Sequence, residues 1–283
     1  MSGIFGFLAR RFIAGDNIEE ALQAVERLNS KKITTTLDIL GENVSNKEEA
    51  VAKADAYIEL LDHIHRSAVT SHASIKLTQM GLDISDQFCF DNVSRIFERA
   101  QEYDIFIRVD MEGSDYTQRT LDLVYRWHEI YPNMGTVIQA MLHRSEDDVK
   151  ELNRQKIKVR LCKGAYKEPA SLAFQDKKQV NKNYAKLTKM LLSDGVYPAI
   201  ATHDDKLIEY TKQFAAESGI GRDQFEFQML YGIRRKLQEQ ITSDGYRMRV
   251  YVPYGTHWFP YYYRRLRERK ENIFFILKNL FKD

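Results

Sequence analysis

The sequence predicts an α/β fold, a (β/α)8 TIM-type barrel with an N-terminal helical segment and a C-terminal helix carrying an Arg pair. Three observations predict it. Eight short β-rich runs recur along the chain, and longer segments with helical spacing lie between them. No GxGxxG follows the first run, so the nucleotide fingerprint of a doubly wound open sheet, the runner-up architecture, is missing. No Pro/Gly/Ser-rich linker divides the 283 residues, so one domain spans 1–283, with 1–30 as a helical lead-in.

The elements follow in order. Residues 1–15 hold apolar Ile4, Phe5, Phe7, Leu8, Phe12 and Ile13 beside basic Arg10 and Arg11. They read as a packing segment leading into the first helix; a membrane-surface anchor and an organelle transit peptide are the alternatives. Strands are expected at 34–40 (TTTLDIL), 73–78 (ASIKLT), 105–111 (IFIRVDM) and 136–141 (TVIQAM). Four more are expected at 158–162 (KVRLC), 199–203 (AIATH), 225–229 (FEFQM) and 247–252 (RMRVYV). Helical spacing appears at 46–64, at 116–131 with Ser114 as its cap, at 205–216 and at 259–269.

Composition limits the function classes. Against 40 Asp+Glu stand 42 Lys+Arg, a net charge of +2, and hydrophobic residues make up 43%. That excludes a disordered chain or a collagen-like fibre and gives no general reason to expect nucleic-acid binding. The two cysteines, Cys89 and Cys162, form no metal pattern and read as free buried thiols in a reducing compartment. No apolar run reaches the ~18 residues of a membrane span. The apolar stretch 273–281 reads as a helix docked on the barrel or as a lipid contact.

Barrel strands carry function at their C-terminal ends. Here those ends are chemically loaded. Asp38 and Glu42 close the first strand, Lys76 sits in the second, Asp110 ends the third and Gln139 lies in the fourth. The fifth carries Arg160 and Lys163, the sixth ends at Thr202, His203 and Asp204, the seventh carries Glu226 and Gln228, and the eighth ends near Tyr251. Each has an ordinary reading on its own. A strand lysine snorkels to solvent, an aspartate at a strand end caps a turn, His203 is a hydrogen-bonded core histidine, and Tyr251 packs. Together they would cost too much desolvation without a ligand or a satisfied network, which points to a functional pocket.

Its charge is positive. Lys76, Arg160 and Lys163 are joined by Arg264 and Arg265 in YYYRRLRER. A solvated basic helix explains that run; a bidentate carboxylate clamp is the functional reading, with Glu268 one turn on to hold a guanidinium. In KGAY, Gly164 and Ala165 are small enough for a large ligand to approach the backbone closely. No metal-ligand spacing and no GxSxG elbow stands out. His63 and His65 read as ordinary surface or core residues.

Nine segments in order complete the pattern: TTTLDILGENV, SIKLTQMGLDI, IRVDMEGSDYT, VIQAML, VRLCKGAYKEP, YPAIATHD, FEFQMLYGIR, RVYVPYGTHW and YYYRRLRERKENIFF. With them the sequence resembles the bacterial monofunctional proline dehydrogenases, from Arg11 to nearly the end of the chain. The resemblance implies a barrel with non-covalent FAD that oxidises L-proline to Δ1-pyrroline-5-carboxylate, the first step of proline degradation to glutamate. It also implies a quinone of the membrane as electron acceptor, a separate pyrroline-5-carboxylate dehydrogenase downstream, and no nucleic-acid partner. The expected location is cytoplasmic, with a peripheral contact at the inner face of the cell membrane.

The resemblance assigns Asp110 and Arg160 to the catalytic centre, with Arg160 near the flavin N5. It assigns proline binding to Lys76, Tyr251, Arg264 and Arg265. It assigns FAD contacts to Met111, Gln139, Arg160, Lys163, Gly164, Ala165, Thr202, His203 and Glu268, and no metal. Members commonly have an extra N-terminal helical stretch; here about nine residues precede Arg10–Arg11. The chain is too short for the form fused to an aldehyde dehydrogenase. The alternatives on the same barrel are a Schiff-base lyase using Lys76 or Lys163 and a non-catalytic barrel that binds a small acid.

Overall fold

The eight β-rich runs form eight parallel strands that pair in chain order and close, β8 onto β1. The structure is a computed structural model describing residues 12–41 and 44–256. A leading helix α1 (Ile18–Asn29) precedes β1 (Thr34–Ile39). There follow α2 (Lys47–Ser67), β2 (Ser71–Ile75), α3 (Asp86–Glu102), β3 (Ile107–Val109), α4 (Ser114–His128) and β4 (Met134–Gln139). The chain continues through α5 (Ser145–Arg154), β5 (Lys158–Cys162), α6 (Lys177–Asp194), β6 (Ala199–Ala201), α7 (Asp205–Glu217), β7 (Glu226–Leu230), α8 (Arg235–Ser243) and β8 (Arg247–Tyr254). Each parallel pairing needs a crossover, and helices α2 to α8 supply them. The helix expected at 259–269, with Arg264, Arg265 and Glu268, lies outside the described residues, as do Glu42 and residues 1–11.

Helix starts follow their capping residues. Asn17, Asn46 and Ser85 accept from the backbone N–H three residues on, at 2.9, 2.8 and 3.0 Å. Ser114 does not cap α4. It is the first helical residue, and its N–H and hydroxyl both donate to Glu168 of the β5–α6 loop, the former at 2.8 Å. A distant carboxylate takes the capping role because an anion is favoured at a helix N-terminus wherever it comes from.

The second strand is shifted from expectation. It runs Ser71–Ile75, and a 3-10 turn at Leu77–Met80 replaces its expected end. Gly81 closes that turn at φ +90°, where a Cβ would meet the Phe88 ring at 2.5 Å. Lys76 is therefore the last extended residue before the turn and is carried over the barrel mouth.

The apolar core lies between the barrel wall and the helices, with Trp127, Tyr57, Tyr184, Phe225 and Phe227 fully buried. Trp127 packs between Phe90 and Phe97, ring centroids 5.5 and 5.6 Å away. Of the two free thiols Cys89 is buried, but Cys162 is only half-buried, because it ends β5 at the open mouth. No described helix is long and apolar enough to cross a membrane.

Candidate active site

Strand alternation aims every second residue inward. In most barrels of this kind those residues are branched aliphatics. Here the inward parity carries charge in two layers. The lower layer holds Arg108, Glu226 and Arg249; the upper holds Asp38, Lys76, Asp110 and Arg160. Three carboxylates thus face four cations, and all seven are less than a tenth exposed. Buried charges persist only when paired and hydrogen-bonded.

In the lower layer Arg249 donates from Nε to Glu226 Oε1 at 2.8 Å and from Nη1 to the Thr35 carbonyl at 2.7 Å. Arg108 donates to the carbonyls of Thr136 and Lys158 at 3.0 and 2.8 Å. Burial and the neighbouring Arg160 push the Arg108 guanidinium down to about 9. Burial acts to raise the Glu226 carboxyl, but the charge and hydrogen bond of Arg249 outweigh it, so Glu226 lies below its ordinary value.

The upper layer converges on Asp110, just past the end of β3. Its Oδ1 accepts from Arg160 Nη1 at 2.8 Å and from the Ser74 hydroxyl at 3.1 Å. Its Oδ2 accepts from the Tyr251 phenol at 2.8 Å, with Lys76 Nζ 3.8 Å away. Lys76 bonds Asp38 at 2.5 Å and the Tyr251 oxygen at 3.3 Å. Asp38 is fully buried. Burial raises its carboxyl above the usual range, and Lys76 opposes that shift. Tyr57 of α2 brings its hydroxyl to Asp38 at 3.5 Å and accepts from the Ile39 N–H at 3.2 Å. The Arg160 guanidinium lies over the Tyr251 ring, 5.2 Å from its centroid.

The other expected site residues line the rim of the same C-terminal mouth. Gln139 ends β4 and donates to the Glu112 carbonyl at 2.8 Å; Met111, which precedes Glu112 in sequence, is buried. Lys163 and Asp204 form a partly exposed ion pair at 2.8 Å. That pair, with the backbone bonds of the α7 cap, holds the Asp204 carboxyl low against its burial. Gly164 has φ +102°, and a Cβ there would meet Met141 Sδ at 2.4 Å. Ala165 is half-buried, and the buried Thr202 accepts from the Asp204 N–H at 3.1 Å. His203 Nε2 accepts from the Leu230 N–H at 3.0 Å, so its proton belongs on Nδ1. Burial and the nearby Arg234 and Lys163 push this imidazole down to about 4.

Lys76, Asp110, Arg160 and Tyr251 meet directly. Gln139, Lys163, Gly164, Ala165, Thr202 and His203 surround the mouth. Ser74 and Tyr57 are not among the residues the sequence singles out, and Gln228 is singled out on the seventh strand without an assigned role. Inward parity with Asp38, Arg160 and Glu226 is the signal that points to Ser74 and Gln228; Tyr57 is on a helix and carries no such signal.

Charged and polar groups arranged so specifically invite comparison. The proline dehydrogenase family model matches residues 21–277. The chain belongs to the proline dehydrogenase family. It is similar to proline dehydrogenase 1 of Bacillus subtilis strain 168, 43% identical over 274 residues, covering 97% of this chain and 91% of the relative. It is similar to the proline dehydrogenase of Deinococcus radiodurans, 40% identical over 282 residues, covering 97% and 90%. Among solved structures it resembles proline utilization A (PutA) of Bdellovibrio bacteriovorus inactivated by N-propargylglycine. That match has a TM-score of 0.87 and 27% identity, and covers 94% of this chain but 33% of the PutA chain. This member of the proline dehydrogenase family is therefore an enzyme whose barrel has a solved counterpart within a much longer protein.

Proposed function

We propose that the enzyme oxidises L-proline to Δ1-pyrroline-5-carboxylate, with non-covalent FAD as hydride acceptor and a quinone as the final electron acceptor. The convergence of Arg160, Lys76 and Tyr251 on Asp110 at the open end of the barrel carries this reading. The donor set suits a flavin dinucleotide: cationic groups at the rim, a neutral imidazole, and a backbone at Gly164 that tolerates no side chain. Met111, Gln139, Arg160, Lys163, Gly164, Ala165, Thr202, His203 and Glu268 would hold it. When bound, FAD supplies the two-electron acceptor that side chains lack.

The chain's own residues bind and orient. Arg160, fixed on three sides, offers an immobile positive charge where reduction builds negative charge. Arg264 and Arg265 take the proline carboxylate and Lys76 assists. Tyr251 packs beside the substrate ring while its phenol remains bonded to Asp110. Asp110 holds Arg160, Ser74 and Tyr251 in one geometry, which is the positioning contribution to catalysis.

Electrons pass on to a quinone at the inner face of the membrane, and a separate dehydrogenase consumes the product. A Schiff-base lyase is not favoured. Lys76 and Lys163 both donate to carboxylates, whereas a Schiff-base lysine must offer its lone pair. The test is to extract the chromophore from purified protein and to trap the product of L-proline with o-aminobenzaldehyde. FAD and a pyrroline adduct are expected; a colourless protein or no adduct would overturn the assignment.

A further inference from the structure

Beyond Asp110 and Ser74, Arg160 has a third partner that helps aim its guanidinium. Arg160 is 6% exposed, and three of its donors are engaged. Nη1 bonds Asp110, Nη2 bonds the Ser74 hydroxyl at 3.2 Å, and Nε bonds Gln228 Oε1 at 2.6 Å. The first two partners are beside the reacting centre. The third leads away from it. Gln228 Nε2 donates to Glu226 Oε1 at 2.5 Å, and Glu226 Oε1 also accepts from Arg249 Nε.

A glutamine amide has two interchangeable-looking ends, and its neighbours decide which faces where. A carboxylate only accepts, so Glu226 demands the NH2 end. An arginine only donates, so Arg160 demands the oxygen. Glu226 and Gln228 stand two residues apart on β7 and so face the same interior. Arg249 pairs with Gln228 in register across β7 and β8, which fixes the Glu226 carboxylate in turn. All four side chains are buried, so water cannot substitute for a lost partner.

Resting on the FAD reading, we infer that Gln228 and Glu226 are positioning residues that set the guanidinium of Arg160 against the flavin from the closed end of the barrel. Glu226 touches neither substrate nor cofactor. Its part is to keep the amide oxygen of Gln228 turned toward Arg160 Nε.

The holoenzyme tests this through single-turnover flavin reduction by L-proline, measured per bound FAD by anaerobic stopped flow, together with the flavin midpoint potential. Gln228→Met is expected to slow reduction about tenfold or more and to shift the potential, with proline affinity changed less than twofold. Glu226→Gln is expected to reproduce part of that loss. The double variant is expected to be no slower than Gln228→Met, because the two act through one contact. Gln228→Glu adds a readout that simple destabilisation would not give. Its carboxylate still accepts from Arg160, and it meets Glu226 with the right geometry only when the pair shares a proton. Its reduction rate is therefore expected to recover as pH falls, on a limb the wild type lacks.

Flavin-loaded Gln228→Met or Gln228→Glu enzyme that reduces like wild type at every pH would overturn the inference. So would additive losses in the double variant. Should Gln228→Met not fold, Gln228→Glu decides the matter alone. A wild-type protein that holds no proline-reducible flavin would overturn the functional reading and this inference together. A reducible wild type with indifferent variants would overturn the positioning role only.

Discussion

The Tyr251 phenol donates to Asp110 Oδ2 across the barrel mouth at 2.8 Å, tying β8 to the end of β3. One bond therefore joins the strand that closes the barrel to the carboxylate on which Arg160 and Ser74 also converge. Removing it leaves a buried carboxylate short of a donor. Tyr251→Phe is expected to lower kcat/KM for L-proline about 10- to 100-fold, the equivalent of about 1.5–3 kcal/mol for a hydrogen bond to a charged group. FAD content should be unchanged. Steady-state kinetics normalised to flavin check this, and a variant within twofold of wild type would contradict it.

Asp38→Asn removes the close carboxylate partner of Lys76 inside a dry barrel. Asp110, 3.8 Å from Lys76, can compensate only in part. A loss of about 3 kcal/mol in unfolding free energy is expected, the lower end for breaking a buried ion pair. Urea denaturation measures it; an unchanged midpoint would show that Asp38 contributes nothing.

Gly164→Ala combines a left-handed φ with a collision against Met141. A cost of about 1–3 kcal/mol in stability is expected. Because the backbone here is proposed to meet FAD, flavin occupancy after purification should also fall. Full occupancy with wild-type melting would separate Gly164 from the cofactor.

His203 gives a pH dependence of known sign. Its imidazole lies at about 4 in the fold against an ordinary 6.5, so between those values the unfolded chain binds more protons. Stability contributed by the neutral ring is thus complete above pH 6.5 and is lost as pH falls toward 4. The loss is at most about 3 kcal/mol at 1.36 kcal/mol per unit. Denaturation of wild type and His203→Gln at pH 7 and 4.5 should show the wild type losing more on acidification. Parallel losses would contradict the shift.

Much of this was legible because charge on the inner parity of a strand is conspicuous. Asp38, Lys76, Asp110, Arg160 and Tyr251 stood out at strand ends, and the fold brings them together. Lys76 does not snorkel to solvent; the 3-10 turn after β2 carries it inward to Asp38. Ser74 is harder to single out, because a serine in a strand is ordinary until an arginine is found 3.2 Å from it. The capping of α4 by Glu168 was unreadable for another reason: the partners are 54 residues apart, and only the closed barrel brings the β5–α6 loop to that helix. The sequence marks Gly164 for its small size toward a ligand. Its positive φ and its contact with Met141 are backbone facts that spacing does not carry. The Arg264–Arg265 pair and Glu268 lie outside the described residues, so their part rests on the family pattern.

The central claim is that this barrel mouth holds a flavin that L-proline reduces. An anaerobic titration of the purified enzyme with L-proline, followed in the visible, tests it most directly. The account predicts a yellow protein whose flavin absorption bleaches on addition of L-proline and returns on addition of a quinone. A colourless protein, or a flavin spectrum that L-proline leaves unchanged, would contradict it.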